Sequence, residues 1–380
     1  MIPTPELDFP AATDGEIAVI NLESARLQSW SRFWQSPQRA GIAEYIVEQE
    51  QMTLQFLSDV TALDRLDLLI EQLARIDVEP MRIALIQAQV ASTTHRFAEA
   101  RGYLQEARVY GSLPAAADRL LLSIDQACGD RLDAVLETRR QMAAESGRLE
   151  DLVPLGALLA DLREFDEADR IYQRALREYD DVSPFALAWV CFQLGVLWGE
   201  LVPETQSSRA ARWYRRAIEY LPGYVKARVH LAEIYLRDEK VGDAEVLLIP
   251  VLSSGDPEVD WHLADVMIAK RNFVEGEAHL QAARSGFEAL LEKHLLAFAD
   301  HGAEFYSGSG DDRDSAFELA SVNLKNRPTL RAFEQAHETA VGAGKSQAAL
   351  DILSAAEIRW GATLAFSLSP LAACCRDSRG

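Results

Sequence analysis

The segment LGALLADLREFDEADRIYQRAL, residues 155–176, decides the fold of this chain. Its apolar residues recur at intervals of three and four, as in amphipathic helices, and never alternate as they would in a strand. Gly156 and Ala168 lie on successive helical stretches, and two small residues at a contact let helix axes approach closely. Tyr172 then fills the space towards the next unit. The segment predicts two short helices packed against each other.

The same arrangement recurs along most of the chain. The recurrence starts at Leu66 and continues at small residues, namely Ala100, Ala134, Ala168, Ala210, Ala244, Gly276, Ala316 and Ala349. The first four positions are each 34 residues apart, and the later spacings lie between 32 and 42. Because a single helix pair cannot bury its apolar face alone, successive pairs must stack. The sequence predicts one all-α array.

These residues resemble the tetratricopeptide repeat family, whose 34-residue unit carries a Leu-Gly-x-x-Tyr…Ala-x-x-x-Phe-x-x-Ala…Pro pattern. The resemblance covers residues 47–363 as about nine units and is strongest at 149–256. The units start near residues 47, 81, 115, 149, 188, 225, 257, 296 and 330. The resemblance implies a right-handed α–α superhelical solenoid in which the first helix of each pair lines a concave groove.

Three places depart from the family pattern. In the unit at 115, Thr138 and Gln141 stand where a large apolar and a small residue are expected, which leaves its register open. Additional residues at 180–187 and in VPETQSS (202–208) lengthen the connections around the unit at 188. Seven further residues at 287–293 are expected to extend a second helix.

The two ends are predicted to differ from the array. Residues 1–15 are rich in proline and are expected to be flexible, and residues 16–46 contain an amphipathic helix. Its aromatic residues Trp30, Phe33 and Trp34 form either a cap over the first repeat or a docking site for a partner. The tail at 364–380 has no evident capping helix, so a homodimer through 330–363 is expected to cover that end.

Composition and charge bound the partners. With 38 basic and 59 acidic residues the formal charge is −21, which repels nucleic acid and anionic membranes and favours basic partners. No run of 18 apolar residues and no secretory signal is visible, and the four cysteines have no C-x-x-C spacing. A cytoplasmic location is expected, although a periplasmic or secreted mature form with its signal removed is not excluded.

The family register places candidate binding residues on the groove side of the first helices. They are Trp189, Phe192, Glu233, Trp261, Asp265, Asp300, Glu304, Glu334 and Glu338. The C-terminal half of the groove is therefore expected to be acidic and to contain two tryptophans. Carboxylates and aromatic faces attract cations, so this half predicts the binding of a basic peptide or protein segment. The alternative is a solvated acidic face without a ligand.

No catalytic constellation emerges from the sequence. Gly344-Lys345-Ser346 lacks the upstream spacing of a phosphate-binding loop and is expected to be a turn. His301 and Glu304, with Asp300, are spaced to offer two ligands from one helix face, which is the one alternative for a metal site. The favoured function is a non-catalytic protein-interaction scaffold or adaptor without a cofactor. The alternatives are a regulatory or carrier subunit of an enzyme complex, or a metal-dependent enzyme.

Overall fold

The computed structural model describes residues 9–76 and 79–377, and within that part the chain forms 20 helices and no strand. The chain is 80% helical, and the predicted superhelical solenoid of helix pairs is confirmed. The helices are α1 (Gly15–Gln35), α2 (Ile42–Leu57), α3 (Thr61–Leu73), α4 (Pro80–Thr93), α5 (Phe97–Val109), α6 (Ala115–Ala127), α7 (Leu132–Ser146), α8 (Leu149–Asp161), α9 (Phe165–Arg177), α10 (Pro184–Val196), α11 (Ser207–Tyr220), α12 (Val225–Arg237), α13 (Val241–Leu248), α14 (Pro257–Ala269), α15 (Phe273–Ser307), α16 (Arg313–Asn326), α17 (Leu330–Gly342), α18 (Ser346–Trp360), α19 (Leu364–Ser367) and α20 (Pro370–Asp377).

Nine helix pairs follow one another from α2 to α18. Helix α15 belongs to two of them, because its backbone leaves the helical conformation at His294. Its part before this kink is the second helix of the seventh pair, lengthened as the insertion at 287–293 predicted. Its part after the kink is the first helix of the eighth pair. The other pairs each use two helices consecutive in the chain.

Glycines on the first helices make room for tyrosines on the second. A Cβ atom at Gly156 would lie 2.7 Å from the Tyr172 ring, and one at Gly195 would lie 2.4 Å from the Tyr214 ring. Both tyrosines are 1% exposed. The sequence predicted a close approach at Gly156 and Ala168, with Tyr172 directed towards the next unit. In the structure the Tyr172 ring itself lies against Gly156 within the same pair.

The turn between the two helices of a pair repeats one backbone conformation. His95, Arg163, Glu239 and Arg271 have positive φ angles of 55°, 65°, 60° and 63°, in the left-handed region that residues other than glycine rarely adopt. Glycines occupy the same place at Gly129 and Gly344. Gly344 thus lies in a turn, as its sequence context predicted.

The third pair has a register different from the family pattern. Thr138 and Gln141 are exposed, and so is Ala134, although the 34-residue series placed a buried small residue there. Val135, Arg139 and Ala143 point inward instead. The expectation for Ala134 is wrong because its helix turns a different face to its partner.

Successive turns of the superhelix touch edge to edge. The His95 Nδ1 atom lies 3.3 Å from the Leu296 carbonyl oxygen, and Asn326 donates to the His95 carbonyl at 2.9 Å. Arg359 donates to the Gly129 carbonyl at 2.9 Å. These contacts join the loops between the helices of the second and third pairs to the eighth and ninth pairs.

Helix α1 caps the first pair. Trp30 donates its indole N–H to Glu50 at 2.7 Å, and Phe33 is fully buried, whereas Trp34 is 55% exposed. Upstream of α1, the Tyr220 hydroxyl donates to the Pro10 carbonyl at 2.9 Å. Residues 1–8 of the segment predicted to be flexible lie outside the described residues.

The C-terminal end is covered by a helix of its own. Leu371 and Cys375 of α20 are buried against Leu353 and Trp360 of α18. The expectation that the tail lacks a capping helix is therefore wrong. The predicted homodimer through 330–363 loses the bare apolar end that motivated it.

One described segment, Pro184–Leu201, has the length and apolar composition needed to cross a membrane. It contains 18 residues with a mean hydropathy of 1.3, and 61% of it is buried inside the protein. A core helix meets the same criteria, so this segment is weak evidence for a membrane span.

Candidate functional site

Three histidines on successive first helices each pair with a carboxylate from the preceding helix pair. His230 Nδ1 lies 2.7 Å from Glu200 Oε1, His262 Nε2 lies 3.0 Å from Glu233 Oε1, and His301 Nδ1 lies 2.7 Å from Glu258 Oε1. We call these six residues the histidine ladder. It crosses four consecutive pairs, from the fifth to the eighth, and joins helices that are distant in sequence.

The ladder is ionised at neutral pH. Burial by itself would lower the pKa of His230, His262 and His301, but nearby carboxylates raise it to about 9 in each case. Asp265 acts with Glu233 on His262, and Asp300 acts with Glu258 on His301. Burial would likewise raise the pKa of Glu200, but the charge of His230 lowers it to about 2. Each rung is an ion pair between an imidazolium and a carboxylate.

A π-helical segment, Leu197–Leu201, places Glu200 in the ladder. This extra turn follows α10, in the region where the sequence has additional residues. The Tyr214 hydroxyl donates to Glu200 at 2.9 Å, and the Arg331 guanidinium lies 3.7 Å from its other oxygen. Glu200 therefore connects the fifth, sixth and ninth pairs across the groove.

Most of the predicted acidic groove residues are neutralised within the protein. Glu233 pairs with His262, Asp300 with Arg327, and Glu334 with Arg163. Asp265 accepts a hydrogen bond from the Ser309 hydroxyl at 2.7 Å and lies 3.6 Å from His262. The expected strongly acidic face is thus a mixed one, because neighbouring pairs and the next superhelical turn supply cations.

A second cluster of charges adjoins the ladder. The Lys226 ammonium lies 2.8 Å from Glu258 and 3.1 Å from Asp256, so Glu258 is held by a lysine and by His301. Burial alone would raise the pKa of Glu258, but these two cations lower it well below its usual range. Lys226 was not among the predicted groove residues.

Three carboxylates on the first helices of the fourth, eighth and ninth pairs have no ion pair among the described residues. They are Asp161, Glu304 and Glu338, and all three side chains are exposed. The surrounding protein desolvates the first two, which raises the pKa of Asp161 to about 6 and also raises that of Glu304. Arg331, 61% exposed at its side chain, attracts both electrostatically. Of the predicted acids, Glu304 and Glu338 thus remain available for a partner.

The predicted aromatic residues support the ladder. Trp261 stacks on His262 with ring centroids 4.7 Å apart and packs edge-on against Phe305 at 5.6 Å. Phe192 lies edge-on to His230 at 5.2 Å. Trp189 is partly buried against the core of the central pairs. These rings are therefore engaged within the protein, which differs from the free stacking surface expected from the sequence.

The sequence carried a signal for the ladder that the groove assignment missed. The motif His-x-Ala-Glu/Asp occurs in three consecutive units, at 230–233, 262–265 and 301–304. A histidine one turn before an acid, repeated at the same register position, marks a row along the first helices. Only the structure shows that each histidine pairs with a preceding helix pair.

The metal alternative gains no support from the site. Among residues 9–76 and 79–377, no group of three or more histidine, cysteine, aspartate or glutamate side chains is arranged to hold a metal ion. His301 lies against Glu258 and not against Glu304, the residue that the sequence proposed as its companion ligand.

Comparisons with known proteins give structural similarities alone. No family model matches the chain, and no curated protein matches it. The Cut9–Hcn1 hetero-tetramer of APC/C is similar with a TM-score of 0.44 at 13% identity, covering 88% of this chain and 63% of that one, so the chain spans less than two thirds of its length. Rap protein complexed with competence and sporulation factor has a TM-score of 0.47 at 13% identity, covering 84% and 99%. The human IFIT1 dimer with m7Gppp-AAAA has a TM-score of 0.43 at 15% identity, covering 94% and 84%.

Proposed function

We propose that this chain is a protein-interaction scaffold of the tetratricopeptide type that holds an extended segment of a partner protein in its groove, without catalysis of its own. The observation that carries the proposal is the histidine ladder. Its half-buried members Glu200, His230, Glu233 and His301 present polar groups on successive first helices, whereas Glu258 and His262 are buried. Since packing and ion pairs already fix these side chains, a partner binds without paying to order them.

The partner segment is expected to contain cationic side chains. Asp161, Glu304 and Glu338 are exposed carboxylates without an ion pair among the described residues. A lysine or arginine placed beside them makes the ion pairs that the fold leaves unmade. The net charge of −21 also steers basic segments towards the protein. We therefore still propose a basic partner, as the sequence predicted, but fewer carboxylates are left to bind it.

The cytoplasm remains the proposed compartment. Cys128, Cys191 and Cys374 are free thiols, and the first two are buried. Free thiols are usual in a reducing compartment.

The test uses ten-residue oligolysine and oligoglutamate as defined probes, with binding measured by calorimetry. The groove variant is Asp161→Asn/Glu304→Gln. Its control is Glu137→Gln/Glu277→Gln, which removes two exposed charges from the second helices α7 and α15. Two lost ion pairs of about 0.5–1 kcal/mol each weaken oligolysine binding by about tenfold in the groove variant.

Three outcomes separate the possibilities. A tenfold loss confined to the groove variant supports the site. Equal losses in both variants mean that oligolysine follows only the net charge, which contradicts a groove site. The capped RNA m7Gppp-AAAA, bound by human IFIT1, serves as a nucleic-acid probe; we expect no binding, and measurable binding would overturn the proposed exclusion of nucleic acid.

A further inference from the structure

The outward faces of α9 and α11 form a basic surface on an otherwise acidic protein. Helix α11 contains four arginines against one glutamate, whereas the second helices of the neighbouring pairs, α7 and α13, each contain more acids than bases. Four exposed arginines of this surface have no ion pair within the part of the chain that the structure describes, namely Arg170, Arg177, Arg212 and Arg215. We call these four residues the arginine patch.

Contacts near both ends hold α9 and α11 side by side. Near their N-terminal ends, Arg209 donates to Asp169 at 2.8 Å. Near their C-terminal ends, the segment before α1 bridges them: the Pro10 carbonyl accepts from Tyr220 at 2.9 Å, and the Thr13 amide donates to a carbonyl just after α9 at 2.8 Å. The three residues between these two contacts span at most about 11 Å. The two helices therefore run in the same direction and lie close together.

All four arginines point away from the protein interior. Arg170 and Arg177 lie seven residues apart in α9, on the side opposite the buried Tyr172. Arg212 and Arg215 lie three residues apart in α11, away from the buried face of that helix. The arginine patch therefore occupies the outer surface of the fourth and fifth pairs.

Most carboxylates near the patch are engaged by arginines outside it. Glu167 pairs with Arg140, Asp169 with Arg209, Glu178 with Arg174, and Glu219 with Arg216. Asp166, the remaining acid of the two helices, lies in the first turn of α9 and is exposed, without an ion pair to any of the four. The positive charge of the patch is therefore left uncompensated within the described residues.

Like charges also lie close together along each helix. Arg170 and Arg174 are four residues apart, and so are Arg212 and Arg216. Like-charge pairs at this spacing destabilise a helix. A chain with 59 acidic residues leaves this repulsion unrelieved, and such departures from a stabilising arrangement are typical of functional surfaces.

A short acidic segment fits this surface better than a long polyanion does. At physiological ionic strength the Debye length is about 8 Å, so a short segment is attracted by the arginines beside it and is little affected by charges further away. A nucleic acid or a membrane extends beyond the patch and meets the acidic helices on both sides. A guanidinium group can also bind a carboxylate through two parallel hydrogen bonds.

We propose that the arginine patch binds a segment of a partner protein that is rich in aspartate or glutamate. The patch lies on the outer side of the solenoid, so this binding is separate from the groove and does not depend on the proposed function. Its contacts are exposed ion pairs, each of which contributes little. A dissociation constant on the order of 0.1–1 mM is therefore expected for a short acidic peptide.

The test is a calorimetric titration of the full chain with ten-residue oligoglutamate. The patch variant is Arg170→Gln/Arg212→Gln. Its control is Arg32→Gln/Arg108→Gln, which removes two exposed arginines of α1 and α5 that likewise have no ion pair among the described residues. Both variants change the net charge equally. The patch variant should bind oligoglutamate about tenfold more weakly, whereas the control should change the affinity by less than about twofold.

Two results would overturn the proposal directly. One is a wild type that does not bind oligoglutamate, and the other is an equal loss of affinity in both variants, which would mean that the peptide responds only to net charge. Circular dichroism checks the helix content of each variant. If the first patch variant is misfolded, Arg177→Gln/Arg215→Gln repeats the test on the other half of the patch, with the same expected loss.

A nucleic-acid probe tests the class of partner. Ten-residue oligouridylate is expected not to bind, because the acidic helices beside the patch repel it. Binding of this RNA that is lost in the patch variant would assign the surface to nucleic acid and would overturn the proposal of an acidic protein segment.

Discussion

Replacing Arg139 with methionine is expected to stabilise this protein. Arg139 lies on the inward face of α7 and is only 4% exposed. Its guanidinium donates one hydrogen bond, to the Ser123 hydroxyl at 3.3 Å, and its Nε atom has no partner among the described residues. Burial lowers its pKa to about 10, so it is still charged at neutral pH.

The nearest attractive charge is already engaged. Asp151 attracts Arg139, but it accepts hydrogen bonds from Arg119 at 3.0 Å and from the Ser146 hydroxyl at 2.7 Å. Arg139 therefore bears a desolvation penalty without a dedicated ion pair. Replacing a buried charge by an apolar side chain of similar length is often stabilising by about 1–4 kcal/mol. Loss of the hydrogen bond to Ser123 offsets about 1 kcal/mol of that gain. The expected net gain for Arg139→Met is therefore up to about 3 kcal/mol.

Hydrogen exchange is the appropriate assay, because solenoids open locally. Amides of residues 115–146 should exchange more slowly in Arg139→Met, by up to about 150-fold, which corresponds to the upper end of the expected gain. The control is Arg140→Met, because Arg140 is 50% exposed at its side chain and pairs with Glu167 on the surface. Its exchange should change less than about twofold.

The pH dependence gives a second check. A base whose pKa is lowered on folding destabilises the protein below that pKa, and the penalty fades as the pH rises through it. The advantage of the methionine variant should thus shrink above about pH 10. Faster exchange in Arg139→Met than in the wild type would refute the reasoning, since it would mean that the guanidinium holds the third pair together.

Three further changes follow from the structure. Arg271→Gly should raise the free energy of unfolding by about 1 kcal/mol in urea titrations, because Arg271 is exposed and its φ of 63° is strained for a residue with a Cβ atom. An unchanged free energy of unfolding would contradict this backbone strain. Gly156→Ala should cost about 1–3 kcal/mol because its methyl group meets the Tyr172 ring, and combination with Tyr172→Leu should recover part of the loss; additive losses would refute the contact. The pKa of His262 is raised to about 9, so the stability that it contributes is complete below about pH 6.5 and is lost as the pH rises through 9. His262→Gln should flatten this pH dependence of the free energy of unfolding. An NMR titration of the His262 imidazole with a midpoint near 6.5 would contradict the prediction.

The residues that the sequence identified best are those buried within single pairs. Gly156, Ala168 and Tyr172 lie close together in the chain, and their spacing predicted a close approach of two helices. The structure contains that approach, with the Tyr172 ring against Gly156. Ala134 shows where the same reasoning fails. Its 34-residue spacing matched, but the helix around it presents Val135 and Arg139 inward. Spacing identifies a repeat without establishing which face of each helix is buried.

The candidate site was less predictable. Glu233, Asp300 and Glu334 were placed in the groove as free acids, yet each has a cation partner. Two of those partners lie in other units, and Arg163 is 171 positions away in the chain. The position of a residue along one helix does not reveal such ion pairs. They form only when helix pairs stack and when one turn of the superhelix meets the next.

The sequence alone therefore determined that this chain forms helix pairs and that the pairs stack into one array. Both properties follow from apolar periodicity and small contact residues, which act over a few turns of helix. The charge state of the groove, the contacts between distant pairs and the helix over the C-terminal end were decided by the tertiary structure. They depend on distances between side chains far apart in the chain, and those distances follow from the small rotations between pairs, which accumulate along the solenoid.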